Sequence, residues 1–227
     1  MSLSTDYSSA LNQPDFTQLD SVNLNVARLH PDARAVLDFW FDKDNEAYWF
    51  IADEKFDSQI ADKFGKIWQA ACQGECAHWR HTAGQPAINT YTSTDDLTTN
   101  LAGRLAEIIV LDQFSRNLCR GQASAFAQDS MALVLAQEAI HQPTFNDLPA
   151  QCRKFMVMPF MHSESAVIQA RYLYLFEQLD EPVTLDFAHA HQAIIEQFGR
   201  YPHRNDALNS ESTDEEEVFL QQPNSSF

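Results

Sequence analysis

Glycine is scarce in this chain: 6 residues among 227, where average usage of ~7% would supply roughly 16. All-β folds and glycine-lined nucleotide sites draw heavily on that residue, so its shortage favours helices. Cationic side chains are also few. Fifteen Lys and Arg stand against 32 Asp and Glu, a formal charge of −17 at pH 7, and such a chain repels the phosphates of duplex nucleic acid. No apolar run approaches the ~18 residues of a membrane span, and the N-terminus lacks the basic start and apolar core of a secretory signal. Cysteine is limited to Cys72, Cys76, Cys119 and Cys152. A zinc ribbon needs two close pairs, and Cys119 and Cys152 stand apart, so all four read as reduced packing thiols of a cytoplasmic protein.

What remains is apolar enough to fold. Hydrophobic residues make up 44% of the chain and aromatics 11%, which excludes wholesale disorder, and the length supports a sizeable core. Residues 1–30 are rich in Ser, Asn, Gln and Asp without a sustained period, and read as a loosely ordered tail; 31–227 reads as a single helical domain. Pro31 opens a first helix through Val36, Leu37 and Trp40, followed by an aromatic stretch from Phe39 to Phe50. A helix over 53–73 carries Phe56, Ile60, Phe64, Ile67, Trp68 and Ala71 on one stripe and stops at Gly74. Residues 78–93 read as a loop. Thr94 or Asp95 then caps a long helix whose stripe runs Leu101, Leu105, Ile108, Leu111. Further helices are expected over 129–141, through Phe155, over 163–179 up to Pro182, and over 184–198 up to Gly199. Thr213 and Glu216 match a capping box before a last helix. No segment alternates as a strand would. The fold class is all-α, with helices in antiparallel pairs.

Several apolar stripes are interrupted by ionisable residues. Extending Leu101, Leu105 and Ile108 by fours reaches Asp112 and then Arg116, an i,i+4 pair in the favourable order. Stepping back from Ile168 reaches Glu164. Phe187, His191, Ile194, Ile195 and Phe198 share a face. Buried ionisable groups are costly unless paired, so these residues either satisfy one another as a register-fixing network or line a cleft. The segment Arg200-Tyr201-Pro202-His203-Arg204-Asn205 is dense in donors, and Pro202 stiffens it. Such a loop suits either anion recognition by guanidinium groups or the capping of helix C-termini.

Four blocks at these positions resemble the signature of the domain-of-unknown-function 924 family. They are Asp112-Gln113-Phe114-Ser115-Arg116-Asn117, Phe126-Ala127-Gln128-Asp129, Met158 through Glu164, and Phe198 through Asn205. The similarity spans roughly 32–221. It implies a tetratricopeptide-like, right-handed helical superhelix in a largely bacterial protein, and it implies no activity. Ser115 stands where the family usually has proline, and Leu208-Asn209-Ser210 replaces its usual Leu-Gly-Arg, which removes one cation from the neighbourhood.

Other chemistries lack their signatures. No Gly-x-Ser-x-Gly elbow occurs, and Ser163 reads as a helix cap rather than a nucleophile. His189 and His191 do not share a face, no His-Glu-x-x-His exists, and no metal or cofactor is assigned. Asp129 reads as an N-cap. Two functions remain. In the first, the protein binds a small anionic molecule or peptide through Asp112, Arg116, Asn117, Arg200, His203, Arg204 and Asn205. In the second, it is an enzyme using His162, Glu164 or His203 for acid–base work, with arginines holding an anionic substrate.

Overall fold

The computed structural model describes residues 28–81, 94–223 and 225. Among them every regular element is helical and no strand occurs. In chain order these are α1 (Pro31–Trp40), α2 (Glu54–Cys72), α3 (Thr94–Ile108), α4 (Ser115–Leu118), α5 (Asp129–Ala139), α6 (Ala150–His162), α7 (Ala166–Tyr172), α8 (Tyr174–Glu177), α9 (Pro182–Phe198), α10 (Asn205–Leu208) and α11 (Asp214–Leu220). A π-helical stretch, Ile109–Phe114, joins α3 to α4 without a break.

The rod formed by α3, the π stretch and α4 is the axis of the fold. Its sequence suggests one apolar stripe, yet every residue from 98 to 115 is buried, because neighbours cover it on all sides. α1, α5 and α6 pack against α3, and α2 packs against the π stretch and α4. On the α2 side Trp40 meets Phe114 at 5.7 Å and Phe155 at 5.4 Å between ring centroids, with Phe64 5.2 Å from Phe114. The expected aromatic stretch therefore divides: Phe39, Trp40 and Phe41 are core, while Phe50 is exposed.

A 3-10 turn, Glu75–Arg80, lies across α3. It crosses at Gly103, where a Cβ would collide with the carbonyl oxygen of Trp79. Beside this crossing Arg80 donates twice to Glu107, at 2.9 Å each, and Asn100 donates to the Arg80 carbonyl at 2.9 Å. The expected loop over 78–93 thus begins as helix through Arg80; 82–93 lie outside the described residues, as do 1–27 of the expected tail and the side chains of Thr94 and Asp95.

Other boundaries shift for identifiable reasons. The helix expected to stop near Phe155 runs on to His162 with Pro159 inside it, because burial of Phe155 through Met161 outweighs the lost backbone hydrogen bond. Pro182 opens α9 rather than merely ending its predecessor, as its ring suits the first helical position. The 163–179 segment is two pieces, and its cap is Ser165, which accepts from Ile168 N–H, not Ser163. Glu164 therefore precedes the helix rather than riding on its stripe. Phe187, expected on the apolar face of α9, is exposed, whereas His191, Ile194 and Ile195 are buried. Asn209, where the resemblance leads one to expect glycine, sits in the left-handed region at φ +51; asparagine is the side chain that best tolerates it.

The four cysteines are free thiols. Burial pushes Cys76, which neighbouring carboxylates also disfavour, and Cys152 up to about 12, as inert packing groups require.

Candidate functional site

A helix ends with carbonyls that have no intrahelical partner. α6 ends at His162 on the edge of the core, and its last carbonyls are met by side chains from distant segments. Tyr201 Oη donates to Met161 O at 2.5 Å, Arg204 Nη2 to His162 O at 3.1 Å, and Gln169 Nε2 to Ser163 O at 2.6 Å. Gly199, at φ +71, ends α9 and turns the chain back, which only a residue without Cβ does cheaply. Pro202 then holds the following turn, and a cation at a helix C-terminus is electrostatically favoured. These local rules bring the 200–205 loop onto the end of α6.

Two carboxylates organise the charges gathered there. Asp112, on the π stretch, has no solvent exposure. Its Oδ1 lies 3.0 Å from Arg116 Nη1 and 2.7 Å from His162 Nδ1, and its Oδ2 accepts from Gln113 Nε2 at 2.6 Å. Arg116 reaches further, donating to the Asp112 carbonyl at 2.7 Å and to both oxygens of Asp129 at 3.0 and 3.1 Å. Asp129 Oδ2 also accepts from Arg204 Nη1 at 3.0 Å. Glu164 Oε1 accepts from Tyr201 N–H at 3.0 Å and lies 3.9 Å from Arg204 Nη1. The Arg204 guanidinium is itself sandwiched, 4.5 Å from the centroids of Phe126 and Tyr201.

Protonation states follow from this packing. Burial alone would raise the Asp112 pKa, but the Arg116 and His162 contacts outweigh it and hold the carboxyl well below the usual range. An ionised Asp112 accepts, so Nδ1 of His162 carries the hydrogen. Burial, with Arg116 nearby, lowers the His162 pKa despite Asp112, and the neutral ring leaves a lone pair on Nε2. None of the described residues hydrogen-bonds that nitrogen. His191, whose Nδ1 lies 2.7 Å from Phe187 O, is 6.2 Å from His162 between centroids. Burial lowers His191 to about 3 and His203 to about 4.

These depressed histidines predict an acid sensitivity. The unfolded chain binds protons near pH 6.5 that the folded chain refuses until pH 4 or below, so stability rises with pH across that interval. Their contribution should be fully present above about pH 6.5 and lost progressively towards pH 3–4, seen as a falling urea midpoint. His203→Asn should flatten the upper part of that decline.

Of the residues singled out in the sequence, Asp112, Arg116, His162, Glu164, His203 and Arg204 come together. His203 stands 5.4 Å from Tyr201 between ring centroids and is close enough to Arg204, Arg116 and His162 to be acidified by them. Three others do not join. Asn117 donates to Asp57 at 2.8 Å, in a cluster with Arg120. Arg200 donates to both oxygens of Glu216 at 2.7 and 2.6 Å, and Asn205 donates to Ser212 and Glu216. The Thr213–Glu216 capping box is present, so Arg200 and Asn205 clamp α11 rather than facing the network. Asp129, expected as an N-cap, is instead the first residue of α5 and bridges two guanidinium groups; the signal for that role is its place in the second block of the resemblance.

No group of three or more His, Cys, Asp or Glu side chains among the described residues is arranged to hold a metal ion. A separate surface groove of about 760 Å³ between α1 and α2, lined by Asp38, Asp42, Asp44 and Lys63, contains none of the network.

The model of a family described as bacterial protein of unknown function (DUF924) matches residues 36–224. Among solved structures, that of the protein of unknown function ATU0120 from Agrobacterium tumefaciens is similar, with 32% identity, coverage of 84% of this chain and 97% of that one, and a TM-score of 0.71. No curated protein matches.

Proposed function

The chain belongs to the DUF924 family, whose description assigns no activity, and we propose that its charge network is an active site in which His162 is the general base. The observation that carries this reading is the 2.7 Å contact between Asp112 and His162 Nδ1, with Nε2 left open. An ionised carboxylate on one ring nitrogen fixes the tautomer and stabilises the imidazolium that forms when the other takes a proton. The arginines of the network hold its carboxylates, Arg116 on Asp112 and Asp129 and Arg204 on Asp129, so that Asp112 stays ionised beside the ring.

The other reading, passive binding of a small anion or peptide, has less support. The guanidinium groups of Arg116 and Arg204 are already answered by Asp112, Asp129 and, more loosely, Glu164. Two positive charges against three negative ones leave no surplus to attract an anion. Four free thiols, three of them buried, support a cytoplasmic setting, and no helix among the described residues is long and apolar enough to cross a membrane. The packing of α5 on α6, and of α7 and α8 on α9, supports the tetratricopeptide-like pairing as part of this proposal.

A panel of polar metabolites tests the reading through turnover. His162→Gln should lower kcat/KM by at least ~100-fold, the usual share of a general base, while leaving the far-UV spectrum unchanged. Asp112→Asn, which can present the wrong tautomer to the ring, should lower kcat more than it raises KM. A ligand that binds at His162 and is never altered would overturn the enzymatic reading.

A further inference from the structure

We infer that the molecule received by this network is an organic cation, a small amine protonated at nitrogen and held by Glu164; the inference rests on the acid–base reading above. Three observations converge on it.

The first is charge. With the histidines neutral, Asp112, Asp129 and Glu164 outnumber Arg116 and Arg204 by one. The carboxylate with the weakest answer is Glu164, whose guanidinium contact is 3.9 Å against 3.0 Å for both Asp112 and Asp129. Its side chain is also the most exposed of the three, at 36% against 0% and 14%. An arriving molecule therefore meets an under-compensated carboxylate, on a protein whose formal charge of −17 steers cations inward and anions away.

The second is hydrogen-bond capacity. The terminal nitrogens of Arg116 and Arg204 already donate to carboxylates or carbonyls. The donors left over are the two Nε–H groups: that of Arg204 is buried in a guanidinium 4.5 Å from the Phe126 and Tyr201 ring centroids, and that of Arg116 belongs to a guanidinium 5.7 Å from the Phe126 centroid, so π electrons answer both. What stays open is acceptor capacity. His162 Nε2 has no partner among the described residues. Gln169 is only 5% exposed, and its Oε1 has none either, although its Nε2 donates to Ser163 O beside Glu164 and to Tyr201 Oη. A buried acceptor such as Gln169 Oε1 is normally paired, and the lone pair on His162 Nε2 is a second acceptor, so the complement that satisfies them is rich in donors. An ammonium group brings three N–H donors and one positive charge; a carboxylate or phosphate brings neither.

The third is arrangement. Arg204 spans from the main-chain carbonyl of His162 to Glu164, and Glu164 follows His162 by two residues, so the carboxylate and the base issue from one short segment at the end of α6. An amine anchored at Glu164 would leave Nε2 for a proton elsewhere on the same molecule.

The test uses the full chain, ring-¹⁵N histidine and two sets of probes at low ionic strength: ethanolamine and 1,4-diaminobutane against succinate and inorganic phosphate. Amines should move the His162 Nε2 resonance, and Glu164→Gln, which keeps an oxygen for Tyr201 N–H, should weaken that binding at least tenfold without lowering the melting temperature. Movement caused by succinate or phosphate but not by amines would overturn the inference and leave the acid–base reading standing. Equal amine binding by Glu164→Gln would overturn it too, as would silence from every probe. The His162→Gln turnover assay decides the acid–base reading separately.

Discussion

Replacing Asp112 by alanine should cost the fold about 3–5 kcal/mol, the range for breaking a buried ion pair from one side. The residue is wholly enclosed, and its two oxygens serve Arg116, His162 and Gln113. Truncation leaves Nδ1–H of His162 without its acceptor, leaves the Gln113 amide only the Met158 sulfur, and leaves Arg116 with Asp129 as its one carboxylate beside the main-chain carbonyl of residue 112. Urea unfolding of the full chain reads this as a shifted midpoint at constant slope. Arg120→Ala is the internal control. It also removes a carboxylate-bound guanidinium, that of the Asp57 pair, but from a side chain 41% exposed, where such pairs are worth ~1 kcal/mol or less. A loss below about 0.5 kcal/mol for Asp112→Ala would mean that water solvates the site and that the burial argument is wrong.

Gly103→Ala should destabilise by ~3 kcal/mol or more, against the sign that helix propensity gives. In an exposed helix the exchange gains up to about 1 kcal/mol. Here the added methyl meets the backbone of the Glu75–Arg80 turn, the carbonyl of Trp79, and neither partner is a flexible tip that can swing aside. Overpacking of this kind usually costs 1–3 kcal/mol, and the contact falls on main chain with Trp79 itself 1% exposed. Thermal and urea unfolding should agree. A variant more stable than the parent would show that the turn slides off α3 freely, and that its apparent close fit contributes nothing.

The elements that were legible in the sequence are those whose pattern is local. α2 follows its stripe to within a residue at each end, with Asp53 accepting from Phe56 N–H, and the Thr213–Glu216 cap can be read from four letters. Two things were not local. A helix buried on every side has no solvent face to betray its register, and the π stretch changes that register inside α3–α4 without any marker such as proline or glycine. Asp112 and Arg116 still pair because both α and π windings leave residues four apart on neighbouring sides. The second is partner choice. Arg200, Arg204 and Asn205 look alike as donors in one loop, yet α11 claims the first and last through Glu216. Asp129 looks like a cap because an acid opening a helix usually is one; its true partners lie 13 and 75 residues away.

That last pair of distances bears on how the protein is made. Chain emerging from a ribosome presents Asp112, Arg116 and Asp129 together, so the first half of the network can close early. Tyr201 and Arg204 leave the ribosome much later, when nearly all of α6 and α9 has already been released. Until then Met161 and His162 keep their carbonyls open to solvent, and Asp129 answers a single guanidinium. Nascent chains stalled before residue 200 should accordingly hold a folded centre around α3 with an unfinished network beside it, completed only once Tyr201 and Arg204 have emerged.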